Sequence, residues 1–178
     1  QEVLPDFLES VEKQTYADYM LYIIDNNSTD QSLEIIQKLS KDKTHIIANK
    51  ANLGVASGNN QGIKRALEDG CEYVLLINND TIFEASLLEK LVSFSHSEKA
   101  DVVAPKMLYY DNPEIIWYAG GGLDKRKAYA PFHRGMGEVD KGQYSGIDKL
   151  DYSPTCCVLF RKKVRPIFKK FWYIFLPH

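Results

Sequence analysis

The apolar positions of this chain fall into two regimes. Up to about residue 104, short unbroken apolar runs alternate with helically spaced sets. Leu4, Phe7, Leu8 and Val11 share one helical face, and Pro5 suits a first turn, so a helix is predicted to about Gln14. Tyr19 to Asp25 is rich in aromatic and β-branched residues and predicts a strand. Leu33, Ile35, Ile36 and Leu39 predict a second helix, and His45 to Ala48 a short strand. Residues 49–60 read as a loop with two glycines. The loop leads into a helix through Ile63, Ala66 and Leu67, with Gly70 placed to cap it. Val74 to Ile77 is a continuous apolar run, the pattern of a strand buried on both faces. Leu87, Leu88, Leu91, Val92 and Phe94 predict a further helix, and Asp101 to Ala104 a further strand. Strands alternating with helices predict the α/β class, with a mostly parallel, Rossmann-like sheet covered by helices on both faces.

From Pro105 the helical spacing fades. Short aromatic strands are expected over Met107–Tyr110 and Ile115–Ala119, broken by Gly120-Gly121-Gly122, with another strand near Cys156–Phe160. This predicts a more open α+β C-terminal half. The expected organisation is one domain over 1–178, with halves at 1–104 and 105–178.

Composition narrows the function classes. A hydrophobic content of 44% beside 26% charged residues is ordinary for a globular protein. The net charge of -2 does not indicate a nucleic-acid partner. Three cysteines, two of them adjacent, do not form a disulfide framework and read as reduced thiols. No signal-like segment opens the chain, and no apolar run reaches the ~20 residues of a spanning helix.

The candidate chemistry sits where the predicted strands stop. Three ends are polar: Asp25 to Asn27, Asn49 to Asn52, and Asn78-Asn79-Asp80. In open α/β sheets, ligands bind outside the carboxyl ends of the strands. Carboxylate and amide oxygens suit Mg²⁺ or Mn²⁺, ions that keep other positions for phosphate oxygens. The competing reading at each end is a polar turn that closes a strand.

The ordered set of these motifs resembles the inverting family-2 glycosyltransferases of the GT-A fold. It is most similar to the rhamnosyltransferase-like branch that builds bacterial surface polysaccharides. The residues that carry the resemblance are Ile24 to Asp30, Ala51 to Gly62, Leu76 to Thr81, Trp117-Tyr118-Ala119-Gly120-Gly121, and Asp151-Tyr152 ahead of the Cys156 strand. The resemblance implies that Asp25 accepts a hydrogen bond from uracil or thymine, with the Asn27 amide beside it. Otherwise Asp25 caps its own turn. Asn52, Gly54 and Asn59 match the loop beside the nucleotide and its phosphates. Asn59 would present a helix N-terminus to negative charge. Otherwise these residues form a simple loop-to-helix junction.

Asn78-Asn79-Asp80 matches the family's Asp-x-Asp element. Asp80 would bind the divalent ion on the diphosphate, and Asn79 would touch the ribose or a phosphate. Asn78 stands where the family has an acid, so one charge is lost. Trp117, Gly120 and Gly121 resemble the floor where donor sugar and acceptor meet; otherwise Trp117 is a core residue. His45, His96 and His133 read as surface or loop histidines.

Several features depart from the family. Its general base lies in an acidic region that would begin near residue 170, where this chain reads Phe168 to His178 without a carboxylate. Asp111, Asp124, Asp148 and Asp151 are the nearest substitutes. The family also opens with a strand that precedes the first helix and lies centrally, between the Asp25 and Asp80 strands. A chain shortened at both ends would expose unpaired edges on those two strands. It would be marginally stable, oligomeric through the edges, or completed by another segment, and would turn over slowly.

The expected partners are a UDP- or dTDP-sugar donor and a glycan or lipid-linked acceptor. The expected location is the cytoplasm, at the inner face of the plasma membrane. Residues 162–176 form a basic, aromatic helical pattern that suits either an anionic membrane surface or docking on the core. The alternative function is a non-catalytic nucleotide- or glycan-binding relative. A sugar-1-phosphate nucleotidyltransferase is disfavoured, because no glycine-rich basic phosphate loop opens the chain.

Overall fold

A computed structural model describes residues 2–39 and 43–164. The expectation for 165–176 therefore lies outside the described residues, as does the region expected to carry a base. The α/β class stands. Four helices, α1 (Leu4–Glu12), α2 (Ser32–Leu39), α3 (Val55–Glu68) and α4 (Leu87–Ser97), alternate with strands β1 (Leu21–Asp25), β2 (Thr44–Ala48), β3 (Tyr73–Ile77) and β4 (Val102–Val103). The C-terminal half adds β5 (Met107–Leu108), β6 (Ile116–Tyr118), β7 (Gly121–Asp124), β8 (Ala130–His133) and β9 (Cys157–Arg161). No helix among the described residues is long and apolar enough to cross a membrane.

β1 and β2 pair in parallel, in register from Leu21 opposite Thr44 to Asp25 opposite Ala48. β3 joins a separate three-stranded sheet in which β9 lies between β3 and β4, antiparallel to both. The C-terminal half thus threads its last described strand into the sheet of the first half.

Among the described residues, β1 pairs only with β2, and β3 only with β9. No ladder joins β1 to β3. Two helices hold them side by side instead. Phe7, Leu8 and Val11 of α1 form a buried cluster with Leu21 and Ile23 of β1, Ile77 of β3, and Phe83. α3 packs on both β1 and β3. A second cluster of Leu87, Leu91, Val103, Cys157 and Leu159 lies under α4.

Four sequence expectations need correction. β3 is half-buried along its whole length rather than buried on both faces, because one of its edges has no strand neighbour among the described residues. α3 starts at Val55, so Gly58, Asn59 and Asn60 are helical rather than in the loop. Gly58 is buried, and a Cβ there would sit 3.1 Å from Asn26 Nδ2. Gly62 lies one turn on, where a Cβ would meet Ile24 at 3.4 Å. The bare faces of these glycines let α3 lie close on β1, and that packing outweighs their poor helix propensity.

The run Gly120-Gly121-Gly122 does not end a strand; β7 begins inside it. Phe132 lies across Gly122 from the paired strand, with a Cβ position only 2.6 Å from its ring, so an aromatic ring covers the bare backbone. Finally, His133 is a half-buried strand residue, not a surface or loop one. His45 lies in β2, as its strand pattern predicts, stacked on Tyr22 with ring centroids 5.2 Å apart.

Candidate functional site

The β1 end is built from carboxylate, amide and glycine. Asp25 is 6% exposed. Both its oxygens accept the Ser28 N–H, each at 3.3 Å, across a turn in which Asn27 takes a left-handed φ of 67°. Asparagine tolerates that conformation better than most residues. Asp25 therefore caps its turn through long bonds from one donor. A carboxylate has about four lone-pair sites, so acceptor capacity is left over.

Three neutral side chains fix the next layer. Asn49 Nδ2 donates to Asn26 Oδ1 at 2.9 Å and to Gln61 Oε1 at 2.8 Å, and Gln61 Nε2 donates back to Asn49 Oδ1 at 3.0 Å. Asn26 Nδ2 donates onward to the Gly54 carbonyl at 3.1 Å. These amides tie β1, β2 and α3 together. The Asn52 side chain accepts the Gly54 N–H at 2.9 Å, and Gly54 takes a φ of 80° that favours glycine. No side chain caps α3, so its first-turn N–H groups remain available to an anion. This N-terminus is formed by Gly54 to Ala56. Asn59 lies in the second turn, which corrects its expected place.

At the end of β3, the Asn78 N–H donates to the Cys156 carbonyl at 2.9 Å, and Thr81 Oγ1 donates to the Asn78 carbonyl at 2.8 Å. Asn78, Asn79 and Asp80 are exposed. Asp80 lies close enough to Cys156 for its charge to help raise that thiol's pKa, although burial is the larger cause. Burial also pushes the Cys157 thiol up to about 12.

Among the described residues, no three His, Cys, Asp or Glu side chains converge on one point. One exposed carboxylate flanked by two amides fits a Mg²⁺-type ion that takes most of its oxygens from phosphate and water. It does not fit an ion caged by protein alone.

Trp117, Tyr118, His133 and Tyr152 form an aromatic group. Trp117 is half-buried, its ring 4.5 Å from that of His133 at 76°, and its carbonyl lies 3.2 Å from His133 Nδ1. His133 also stacks on Tyr152 at 5.8 Å. The buried Tyr118 donates its hydroxyl to the Tyr152 carbonyl at 2.9 Å, and burial raises its pKa.

Gly120 and Gly121 are filled by the chain itself. A Cβ on Gly120 would lie 2.7 Å from Arg134 Nη2, and one on Gly121 would lie 2.2 Å from the Tyr152 carbonyl oxygen. Arg134 donates to the Ala119 carbonyl at 2.8 and 2.6 Å, pairs with Asp148, and covers the Tyr144 ring. Of the four substitute carboxylates, Asp148 is thus paired and Asp124 caps a turn. Asp111 and Asp151 are exposed, and the Asp151 N–H donates to the Gly121 carbonyl.

The structure joins Asp25 to Ser28, and Asn26 to the Asn52–Gly54 loop. Residues 152–156 connect the Trp117 group to the end of β3. Among the described residues, no hydrogen bond links the Asp25 group directly to Asp80; helices α1 and α3 set their spacing. Asn26, Asn49 and Gln61 carry no functional assignment in the sequence reading beyond their motifs. Their partnership has no sequence signal, since neutral amides 23 and 12 positions apart pair only once the fold is known.

Comparison with known proteins agrees with this architecture. The model of the family "Glycosyl transferase family 2" matches residues 1–168. The chain is 27% identical over 117 residues to the glycosyltransferase GlyG of Streptococcus pneumoniae, covering 65% of this chain and 38% of that protein. It is 28% identical over 110 residues to the cholesterol galactosyltransferase of Borreliella burgdorferi, covering 61% and 30%. A PGL/p-HBAD biosynthesis glycosyltransferase of Mycobacterium tuberculosis is 31% identical over 104 residues, covering 57% and 40%. The chain thus spans well under half the length of these curated relatives. The crystal structure of S. aureus TarS 1-349 superposes with a TM-score of 0.64 at 20% identity, covering 99% of this chain and 47% of that one, a likeness of fold.

Proposed function

The chain belongs to glycosyl transferase family 2, and from that membership we propose that it handles a uridine or thymidine diphosphate sugar and passes the sugar, with inversion, to a glycan or lipid-linked acceptor. The reading includes the rhamnosyltransferase-like chemistry of surface polysaccharide synthesis. One observation carries it: the buried Asp25 carboxylate stands at the end of β1 beside the uncapped start of α3.

Asp25 accepts the imide N–H of the base, and Asn27 offers an amide to a carbonyl of the same ring. The first turn of α3, opened by Gly54, faces the phosphates with N–H donors. Asn78 and Asn79 contribute amide groups to ribose or phosphate. Asp80 would hold Mg²⁺ or Mn²⁺, which when bound neutralises charge on the leaving diphosphate. Trp117 offers an aromatic face to sugar C–H groups.

Calorimetry with UDP and dTDP, with and without Mn²⁺, tests the site. Asp25→Ala should lower affinity by roughly 10- to 150-fold, the usual worth of a hydrogen bond to a charged group. Asp80→Ala should abolish the benefit of the ion. Equal affinity for ADP, together with an unaltered Asp25→Ala variant, would remove the nucleobase reading.

A binding protein without turnover is the second reading. It is favoured by the engagement of Asp124 and Asp148 within the chain itself. Diphosphate release from a panel of UDP- and dTDP-sugars separates the two readings.

A further inference from the structure

The β7–β8 hairpin is anchored at its base and free at its tip. At the base, Gly121 pairs with His133, the Gly121 carbonyl accepts the Asp151 N–H, and His133 lies among Trp117, Tyr118 and Tyr152. Beyond that point the two strands pack chiefly on each other. From Leu123 to Phe132, every residue except Asp124 is exposed.

The tip is a 3-10 turn of three consecutive cations, Lys125, Arg126 and Lys127. The nearest carboxylate in sequence, Asp124, accepts the Arg126 backbone N–H at 2.9 Å and so serves the turn. Among the described residues, none of the three cations takes part in an ion pair. Apolar and aromatic side chains flank them: Tyr129 is 60% exposed, Phe132 49% and Leu123 38%.

The turn is also held in a costly shape. Ala128 and Tyr129 both adopt left-handed φ angles, 51° and 61°, with no glycine to relieve them. The Tyr129 N–H closes the loop onto the Asp124 carbonyl at 2.9 Å. Non-glycine residues in this region persist where surrounding contacts over-determine them, often at sites of binding. Here the result is a hairpin tip that combines cations with exposed aromatic surface in a chain whose net charge is -2.

We propose that this hairpin tip is a membrane-contact element, in which Lys125, Arg126 and Lys127 meet anionic headgroups while Leu123 and Tyr129 seat at the headgroup–acyl boundary. Charge complementarity selects an anionic surface. The exposed apolar residues select a bilayer over a soluble polyanion, since only the bilayer offers an apolar layer directly beneath its charges. The assignment is independent of the nucleotide site.

Flotation of the full chain tests it, with vesicles of phosphatidylcholine alone and of phosphatidylcholine mixed with phosphatidylglycerol. The wild type should float only with the mixed vesicles. The triple variant Lys125→Gln, Arg126→Gln, Lys127→Gln should lose roughly a hundredfold in partition, since each cation near an anionic surface contributes about fivefold. Tyr129→Ser keeps every charge and should lose several-fold. A control with Lys169→Gln and Lys170→Gln removes charge from the C-terminal segment and should retain most of the binding. The proposal is overturned if the triple variant floats like the wild type, or if the wild type stays unbound. It is also overturned if Tyr129→Ser binds undiminished, because the tip would then read charge alone.

Discussion

The β1 side and the β6–β7 side of this molecule are ordered by different means. Around β1, order comes from neutral partners: the Asn26–Asn49–Gln61 amides, and a helix laid on a strand through Gly58 and Gly62. Around β6 and β7, order comes from filled glycines and charge: the Tyr152 carbonyl over Gly121, Phe132 over Gly122, and Arg134 between Ala119 and Asp148. The first arrangement leaves carboxylate and helix N–H groups free for a ligand. The second consumes its own polar groups and leaves aromatic surface. Under the proposed function, that division would place a polyanionic donor at the first and a largely uncharged sugar at the second.

The comparison breaks most sharply at Gly121. Its Cβ position lies 2.2 Å from a backbone oxygen that cannot swing away. Gly121→Ala should cost about 3 kcal/mol or more in urea unfolding, in the range of severe overpacking. A cost under about 1 kcal/mol would show that the Tyr152 segment moves freely.

The two networks should then differ in salt dependence. Asn49→Ala strands the amides of Asn26 and Gln61 and should cost about 2 kcal/mol, with little change between low and high salt. Arg134→Met should cost about 1–2 kcal/mol. Part of that is the unpaired Ala119 carbonyl, and the rest, from the partly exposed pair with Asp148, should fade as salt rises. Equal salt dependence of the two variants would erase the distinction.

The smallest effect is expected at Gly58. Its Cβ would meet a side-chain nitrogen at 3.1 Å, and a flexible amide can yield by a few tenths of an ångström. The helix gains roughly 1 kcal/mol from alanine over glycine, so Gly58→Ala should leave stability within about 0.5 kcal/mol. Nucleotide affinity should fall instead, because Asn26 must shift.

The sequence made the strand ends legible because turn-forming, ligand-suited residues follow apolar runs at Asp25, Asn52 and Asn78. It hid the start of α3. Val55 to Asn60 has the composition of a loop, and only the fit of Gly58 and Gly62 against β1 makes it helical. It also hid β7, since a triple glycine reads as a break unless the ring and carbonyl that cover it are known. Arg134 and Asp148 are fourteen positions apart and carry no periodic signal. Among the described residues no ladder joins β1 to β3, and α1 and α3 bridge the two strands.

The three-amide stitch also places a heat-labile residue type at a junction of three elements. Asparagine side chains lose ammonia slowly in warm water and become aspartates, which makes them heat-labile positions. At most surface sites that change adds a charge and little else. At Asn49 it would replace the nitrogen that donates to both Asn26 and Gln61 with an oxygen that can only accept, setting acceptor against acceptor on two sides. One chemical event, with no change in chain length, would loosen β1, β2 and α3 from one another at the point where a ligand would be read.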